Sequence, residues 1–209
     1  MNPLPRRAVL RLGLAGIVAI PAVGRAADAQ SVMAPVNALD DALIATMKAA
    51  QSTSFVQRFN ALVAVVRRAF DLETILQVSI GPAWSGIATQ MQGLLLNEFE
   101  RYTVTSYVAN FNSYTGQRFE VSPALRAVGA DQIVQTSLIS PSGAPTRIDY
   151  VMRNVGGQWK IVDVLLDGTI SRVAVQRSDF RSEISSGGGP GLLASLRRKV
   201  AQLSGGAMT

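Results

Sequence analysis

The hydrophobic period of this chain changes twice, and nothing else in the sequence limits the fold as much. Apolar residues recur at helical spacing over 32–112, at strand spacing over 115–175, and at helical spacing again over 176–203. Side chains come back to the same face after about 3.6 residues in a helix and about 2 in a strand, so one element cannot serve both patterns. Helices therefore come first, an antiparallel sheet follows, and helices close the chain. That order is an α+β layer fold.

Val36, Leu39, Leu43 and Met47 form one apolar face of a first helix. Phe55, Phe59, Leu62, Val66 and Phe70 do the same on a second, with Ser54 as its N-cap. A short third helix starts at Asp71 and carries Ile75, Leu76 and Val78 as apolar residues. Gly81-Pro82 stops it, and Pro82 can start a long helix to about Asn112. That helix holds Trp84, Ile87, Met91, Leu94, Leu95, Phe99, Tyr102 and Tyr107, with a kink expected near Gly93, Thr103 or Thr105.

Strands are expected at Arg118–Val121, Ile133–Ile139, Ile148–Met152 and Trp159–Leu166. Arg147, Asp149 and Arg153 alternate with Ile148, Tyr150 and Met152, which gives the third strand one wet face. Asn154–Gly157 and Asp167-Gly168 supply turns, so the strands read as a meander. Gly187-Gly188-Gly189-Pro190-Gly191 reads as a link between two closing helices. It lacks the downstream Lys-Ser/Thr of a phosphate loop.

Residues 1–29 read as an export signal rather than as fold. Arg6, Arg7 and Arg11 precede the apolar stretch Leu12–Ile20, Pro21 breaks it, and Ala27-Asp28-Ala29 offers a cleavage site near Ala29. The arginine pair resembles a twin-arginine export motif, with ordinary Sec export as the alternative. The stretch is too short to span a membrane. Its removal takes away four arginines (Arg6, Arg7, Arg11, Arg25) and Asp28, so the formal charge falls from +6 to +3. Much of the basic character thus lies outside the single domain expected over 32–204. The densest basic cluster left, Arg197-Arg198-Lys199, reads as a solvated helix end, so no nucleic-acid partner is expected.

The chain contains no Cys and no His. That excludes thiol nucleophiles, imidazole bases and Ser-His-Asp triads, and makes carboxylates the first candidates for acid–base work. Asp40 and Asp41 are adjacent on a helix and do not face each other. Asp71 and Glu73 suit a cap. Asp163, close to Lys160 in an apolar strand, reads as an ion pair or turn anchor rather than an acid catalyst. No catalytic group, metal site or cofactor emerges. Charged residues make up 16% of the chain against a usual ~25%, so apolar side chains are in surplus. They either fill an ordinary core or line a cavity, and periodicity alone leaves both open.

An ordered series of motifs resembles the MlaC-type family of periplasmic phospholipid-binding proteins, also called the toluene-tolerance auxiliary family. It runs from Phe70-Asp71-Leu72 with Ile75, through Gly81 and Trp84, then Gln90, Phe99 and Tyr107. It continues through Tyr114, Gly116-Gln117 and Phe119, then Ile148-Asp149-Tyr150 and Trp159-Lys160-Ile161-Val162-Asp163-Val164. It ends with Asp167-Gly168, Ser171, Arg177 and Phe180. A softer likeness points to a branch associated with hopanoid lipids. The resemblance implies a cystatin-like or NTF-like fold, with helices on a curved antiparallel sheet around an apolar pocket. It also implies a non-enzymatic carrier of phospholipid, or of a related lipid, between an inner-membrane ABC transporter complex and an outer-membrane lipoprotein complex.

Each methylene exposed to water costs about 0.8 kcal/mol, so two sixteen-carbon tails would cost about 25 kcal/mol if bare. A carrier must therefore take the tails inside, with no need to insert in a membrane itself. The lining expected on this reading is Phe70, Ile75, Trp84, Leu95, Phe99, Tyr107, Phe119, Tyr150, Met152 and Trp159. Arg147 and Arg153 are candidate phosphate neighbours, against the plainer reading of solvated charges. The competing function is a periplasmic adaptor with a filled core and no ligand.

Overall fold

The computed structural model describes residues 23–208, with side chains from Asp28 onward. The chain runs α1 (Val23–Ala49), α2 (Phe55–Ala69), α3 (Leu72–Ile80), a 3-10 turn over Gly81–Gly86, and α4 (Thr89–Asn110). Then come β1 (Arg118–Val128), β2 (Asp131–Ile139), β3 (Thr146–Val155), β4 (Gln158–Leu166), β5 (Ile170–Ser171) and α5 (Arg172–Leu203). The strands form one antiparallel sheet in the order β1-β2-β3-β4-β5. The architecture is α+β, as the two changes of period require. The export-signal reading lies mostly on residues outside the described ones, and α1 starts at Val23, ahead of the expected cleavage point.

Local chemistry sets the helix boundaries. Ser54 caps α2 with a full capping box: its hydroxyl accepts from the Gln57 amide, and the Gln57 side chain accepts from the Ser54 amide. Asp71 caps α3 by accepting from the Thr74 amide. Gly81 ends α3 at φ 72°, and Pro82 opens the 3-10 turn. The long helix expected from Pro82 instead begins at Thr89, because Ile87 is extended at φ −85°, ψ 130°. From there α4 runs unbroken through Gly93, Thr103 and Thr105. Thr103 donates back to the Phe99 carbonyl, and Ser106 to that of Tyr102, so these hydroxyls are satisfied without breaking the helix.

α5 folds back on itself at Gly188, whose φ of 59° and ψ of −154° suit only glycine. Lys199 reaches Asp179 at 3.2 Å and Ser195 donates to Glu183 at 2.7 Å, so the two arms lie antiparallel about this link. The basic cluster is a solvated helix end, with Arg197 and Arg198 largely exposed and Arg197 3.8 Å from Glu98.

Val32, Val36, Leu39, Leu43 and Met47 of α1 are buried, as are Leu62 and Val66 of α2. They face the inward row Ile148, Tyr150 and Met152 of β3 within one core. Val78, expected among the apolar contacts of α3, is 43% exposed instead. Asp149, expected on the wet face, is fully buried, because the Arg147 guanidinium covers it through bonds of 3.0 and 2.7 Å. The sheet has two unlike edges. On the β4 side the chain crosses at Phe70-Asp71, where the Asp71 amide donates to Ile161 at 2.9 Å. The β1 side is open, but its register slips between Val121 and Leu125, at a bulge containing Pro123.

Candidate functional site

Six residues of α4 fall on one stripe: Phe99, Tyr102, Thr103, Ser106, Tyr107 and Asn110. The stripe faces the end of the sheet where β3 begins and β4 finishes. There Ile148 pairs with Leu166 and Tyr150 with Val164, which sets four side chains in a block. Phe70, Leu72 and Ile75 close one flank, and Arg172, Val173 and Gln176 at the start of α5 close another. Large rings brace α4 against its neighbours, with Phe99 edge-on to Phe180 of α5 at 6.1 Å and Tyr107 at 5.9 Å from Phe70. The gap is a cavity of about 380 Å³. That is within the usual ~300–1,000 Å³ of small-ligand pockets.

The lining is graded. Phe70, Leu72, Ile75, Phe99, Ile148 and Tyr150 are buried, while Asn110 is exposed and Thr103, Ser106, Asp163, Arg172 and Gln176 are half-buried. An apolar interior thus opens through a polar rim.

Asp163 is a turn anchor. It accepts from the Ser171 hydroxyl, from the Val173 amide at 3.1 Å and from its own neighbour Val164 at 2.7 Å. It forms no ion pair with Lys160, which instead caps α2 by donating to the Arg68 carbonyl at 2.7 Å. Ser171 in turn accepts from the Ala174 amide, so the first amides of α5 are already engaged. The rim's cation is Arg172, and among the described residues no carboxylate oxygen lies within 4.0 Å of it.

Behind the inner wall lies a buried polar group. The Tyr150 hydroxyl donates to Asp40 Oδ1 at 3.4 Å, and Asp40 Oδ2 has no partner among the described residues. Burial pushes the Asp40 carboxyl up to about 8, with the Tyr150 hydrogen bond opposing and the Asp41 charge adding. Burial also raises the Tyr107 phenol, helped by the Asp40 charge and opposed by Arg172. Tyr150 is raised by burial first, then by Tyr107 and Asp40. All three side chains are therefore mainly uncharged at neutral pH. Among the described residues no group of three or more carboxylates converges to hold a metal ion.

Of the ten residues expected to line a cavity, the fold brings Phe70, Ile75, Phe99, Tyr107 and Tyr150 to this one. The other five are placed elsewhere. Met152 lies two residues beyond Tyr150, roughly 6.6 Å further along the strand, and pairs with Ile161 in close-packed core. Trp159 pairs with Asn154 at the far end of the β3–β4 hairpin. Leu95 sits one turn before Phe99, fully buried and past the closed end. Trp84 is half-buried in the 3-10 turn, where its carbonyl accepts from Gln92 at 3.0 Å. Phe119 stacks 6.1 Å from Phe111, a cavity residue, at the outer end of the aromatic row Phe70–Tyr107–Phe111–Phe119. None of the five lines this cavity.

Arg147 and Arg153 are bound to Asp149 and Asp131 on the outer face, away from the cavity. Arg172 and Gln176 line the cavity instead. The hydroxyl and amide side chains of α4 were missed as well, since mid-helix polar residues ordinarily face water. The available signal was their spacing: Thr103, Ser106 and Asn110 adjoin the stripe of Phe99 and Tyr107.

An α+β domain holding an apolar chamber with a polar mouth has the architecture of a ligand-enclosing protein. A model of the MlaC protein family matches residues 37–198, and the chain belongs to that family. A solved structure shares the fold: the phospholipid-binding protein from Ralstonia solanacearum in complex with a phospholipid. It superposes with a TM-score of 0.72 at 22% identity, over 83% of this chain and 98% of that one. No curated protein is significantly similar in sequence.

Proposed function

We propose that the protein is a periplasmic phospholipid carrier that keeps acyl chains in the cavity between α4 and the sheet, with the head group at the polar rim. The observation that carries this reading is the cavity itself, walled by Phe70, Ile75, Phe99, Ile148 and Tyr150, in a chain of the MlaC family. An adaptor with a filled core has no use for such a space. The phospholipid bound to the Ralstonia solanacearum protein supports the choice of ligand. Shuttling between an inner-membrane ABC transporter complex and an outer-membrane lipoprotein complex is the cellular role that fits, with residues 1–29 acting as the export signal. Among the described residues no helix is long and apolar enough to cross a membrane.

Organic extraction of the purified protein followed by mass spectrometry tests the reading. Near-stoichiometric phospholipid is expected. Ile75→Trp fills the chamber and should remove that lipid while leaving the protein folded by circular dichroism. A wild-type extract free of lipid would return the protein to the adaptor class, and a triterpenoid in place of phospholipid would move it to the hopanoid-associated branch.

A further inference from the structure

We propose that Arg172 and Gln176 form the seat for the lipid's phosphodiester, and that this seat makes the carrier prefer a phosphate-bearing lipid over an uncharged one. The assignment rests on the carrier reading above and adds a residue-level cause of head-group choice.

Three observations carry it. Arg172 lines the cavity, is half-buried, and has no carboxylate within 4.0 Å among the described residues. Arg147, Arg153, Arg67 and Arg118, by contrast, each hold a carboxylate at 2.6–2.7 Å. An unpaired guanidinium on the rim of an apolar chamber is a ready partner for an anion carried on an apolar body, and its planar fork suits two phosphate oxygens. Second, Gln176 follows Arg172 by one turn of α5, on the same side of the helix. Its side-chain amide lies 3.4 Å from Ser79 Oγ, whose own proton goes to the Ile75 carbonyl at 2.7 Å, and the residue lines the mouth beside Arg172. Third, the rim's carboxylate, Asp163, has both oxygens engaged by the Ser171 hydroxyl and two backbone amides. Its oxygens are held from within, so the charge free to meet a ligand here is positive, and the donor capacity left open is that of the Arg172 guanidinium.

The helix start is not the source of this capacity, since its first amides are capped internally. The cation is the Arg172 side chain, and its field reaches Tyr107 inside the chamber, where it opposes the upward shift of the phenol.

The test is a competition. The purified full-length exported protein is equilibrated with dodecyl maltoside micelles containing equal amounts of phosphatidylglycerol and of diacylglycerol with the same two acyl chains. It is then re-isolated, and its lipid is weighed by mass spectrometry. Wild type is expected to take the phospholipid in excess by at least about tenfold, the ratio given by one charge-assisted hydrogen bond of ordinary strength. Arg172→Gln should bring the two lipids to near parity, and Arg172→Lys should keep part of the preference. An equal uptake by wild type, or an undiminished preference in Arg172→Gln, overturns the seat. Uptake of neither lipid overturns the carrier reading on which it stands. Inorganic phosphate in excess should leave the ratio unchanged, and a ratio abolished by it would assign the seat to free anion rather than to lipid.

Discussion

The two ends of β3 meet different interiors. At one end Met152 pairs with Ile161 and both are fully buried, beside the point where Phe70-Asp71 crosses β4. At the other, Ile148 and Tyr150 face the chamber under α4. Ile148, Tyr150 and Met152 all alternate inward on the same strand. What differs is the element opposite. Close packing follows where a helix lies directly on the sheet. A hollow follows where α4, braced through rings such as Phe99 and Tyr107, leaves a gap. A chamber is thus a property of element placement and not of residue type.

The sharpest way to probe that contrast lies at the seam between the two ends, at Asp40 behind Tyr150. Its carboxyl stays protonated to about pH 8 in the folded protein, while an unfolded chain releases the proton near 3.8. Between those values the folded state binds more protons, so stability falls as pH rises from about 4 to 8. The full difference is on the order of 5 kcal/mol. Urea midpoints should therefore drop from pH 5 to pH 8.5 in the wild type. They should drop much less in Asp40→Asn, and equal slopes in the two proteins would place the titrating group elsewhere.

The next largest effect compares truncations. Met152→Ala opens a void in filled core and should cost about 2–5 kcal/mol. Ile148→Ala only enlarges an existing space and should cost about 2 kcal/mol, close to the transfer term alone and at the low end of that range. Equal losses in chemical denaturation would mean that both ends are packed alike.

Enlargement gives the reverse test, with a smaller effect. Met152→Trp overpacks the solid end and should cost about 1–3 kcal/mol. Ile75→Trp should change stability by less than that in lipid-free protein, because the indole has room. A similar loss in both would argue that the chamber is closed to added volume. Last, Ser54→Ala removes a cap far from either end and should cost about 1 kcal/mol, whatever the lipid load.

The fold was legible because its signals are local. Ser54 and Asp71 announce helix starts through their own side-chain chemistry, and Ile148, Tyr150 and Met152 announce a strand by alternation. Asp167 and Gly168 announce a turn, and Gly168 has a further reason to be there: a β-carbon at this position would lie 2.6 Å from Arg147 Nε. The long helix was misplaced at its start because Pro82 opens a 3-10 turn that ends at Gly86, and Ile87 after it is extended.

The site was half legible for a different reason. Periodicity reports which side chains point inward, and Phe70, Ile75, Phe99, Tyr107 and Tyr150 do. It does not report what stands across from them, so Leu95 and Met152 looked the same as Phe99 and Tyr150. The rim was hidden further still. Thr103 and Ser106 bond their own helix, and Arg172 gains its place only when β4, β5 and α5 turn it toward α4.

The slipped register of β1 has a consequence for the protein as one copy among many. A straight free edge offers a row of amides and carbonyls on which another copy can zip, and chains then grow. Here Pro123 has no amide to offer, and the Ser122 hydroxyl accepts from the Ala124 amide at 3.2 Å. The border is thus interrupted midway, and molecules that collide along it find no continuous ladder to extend.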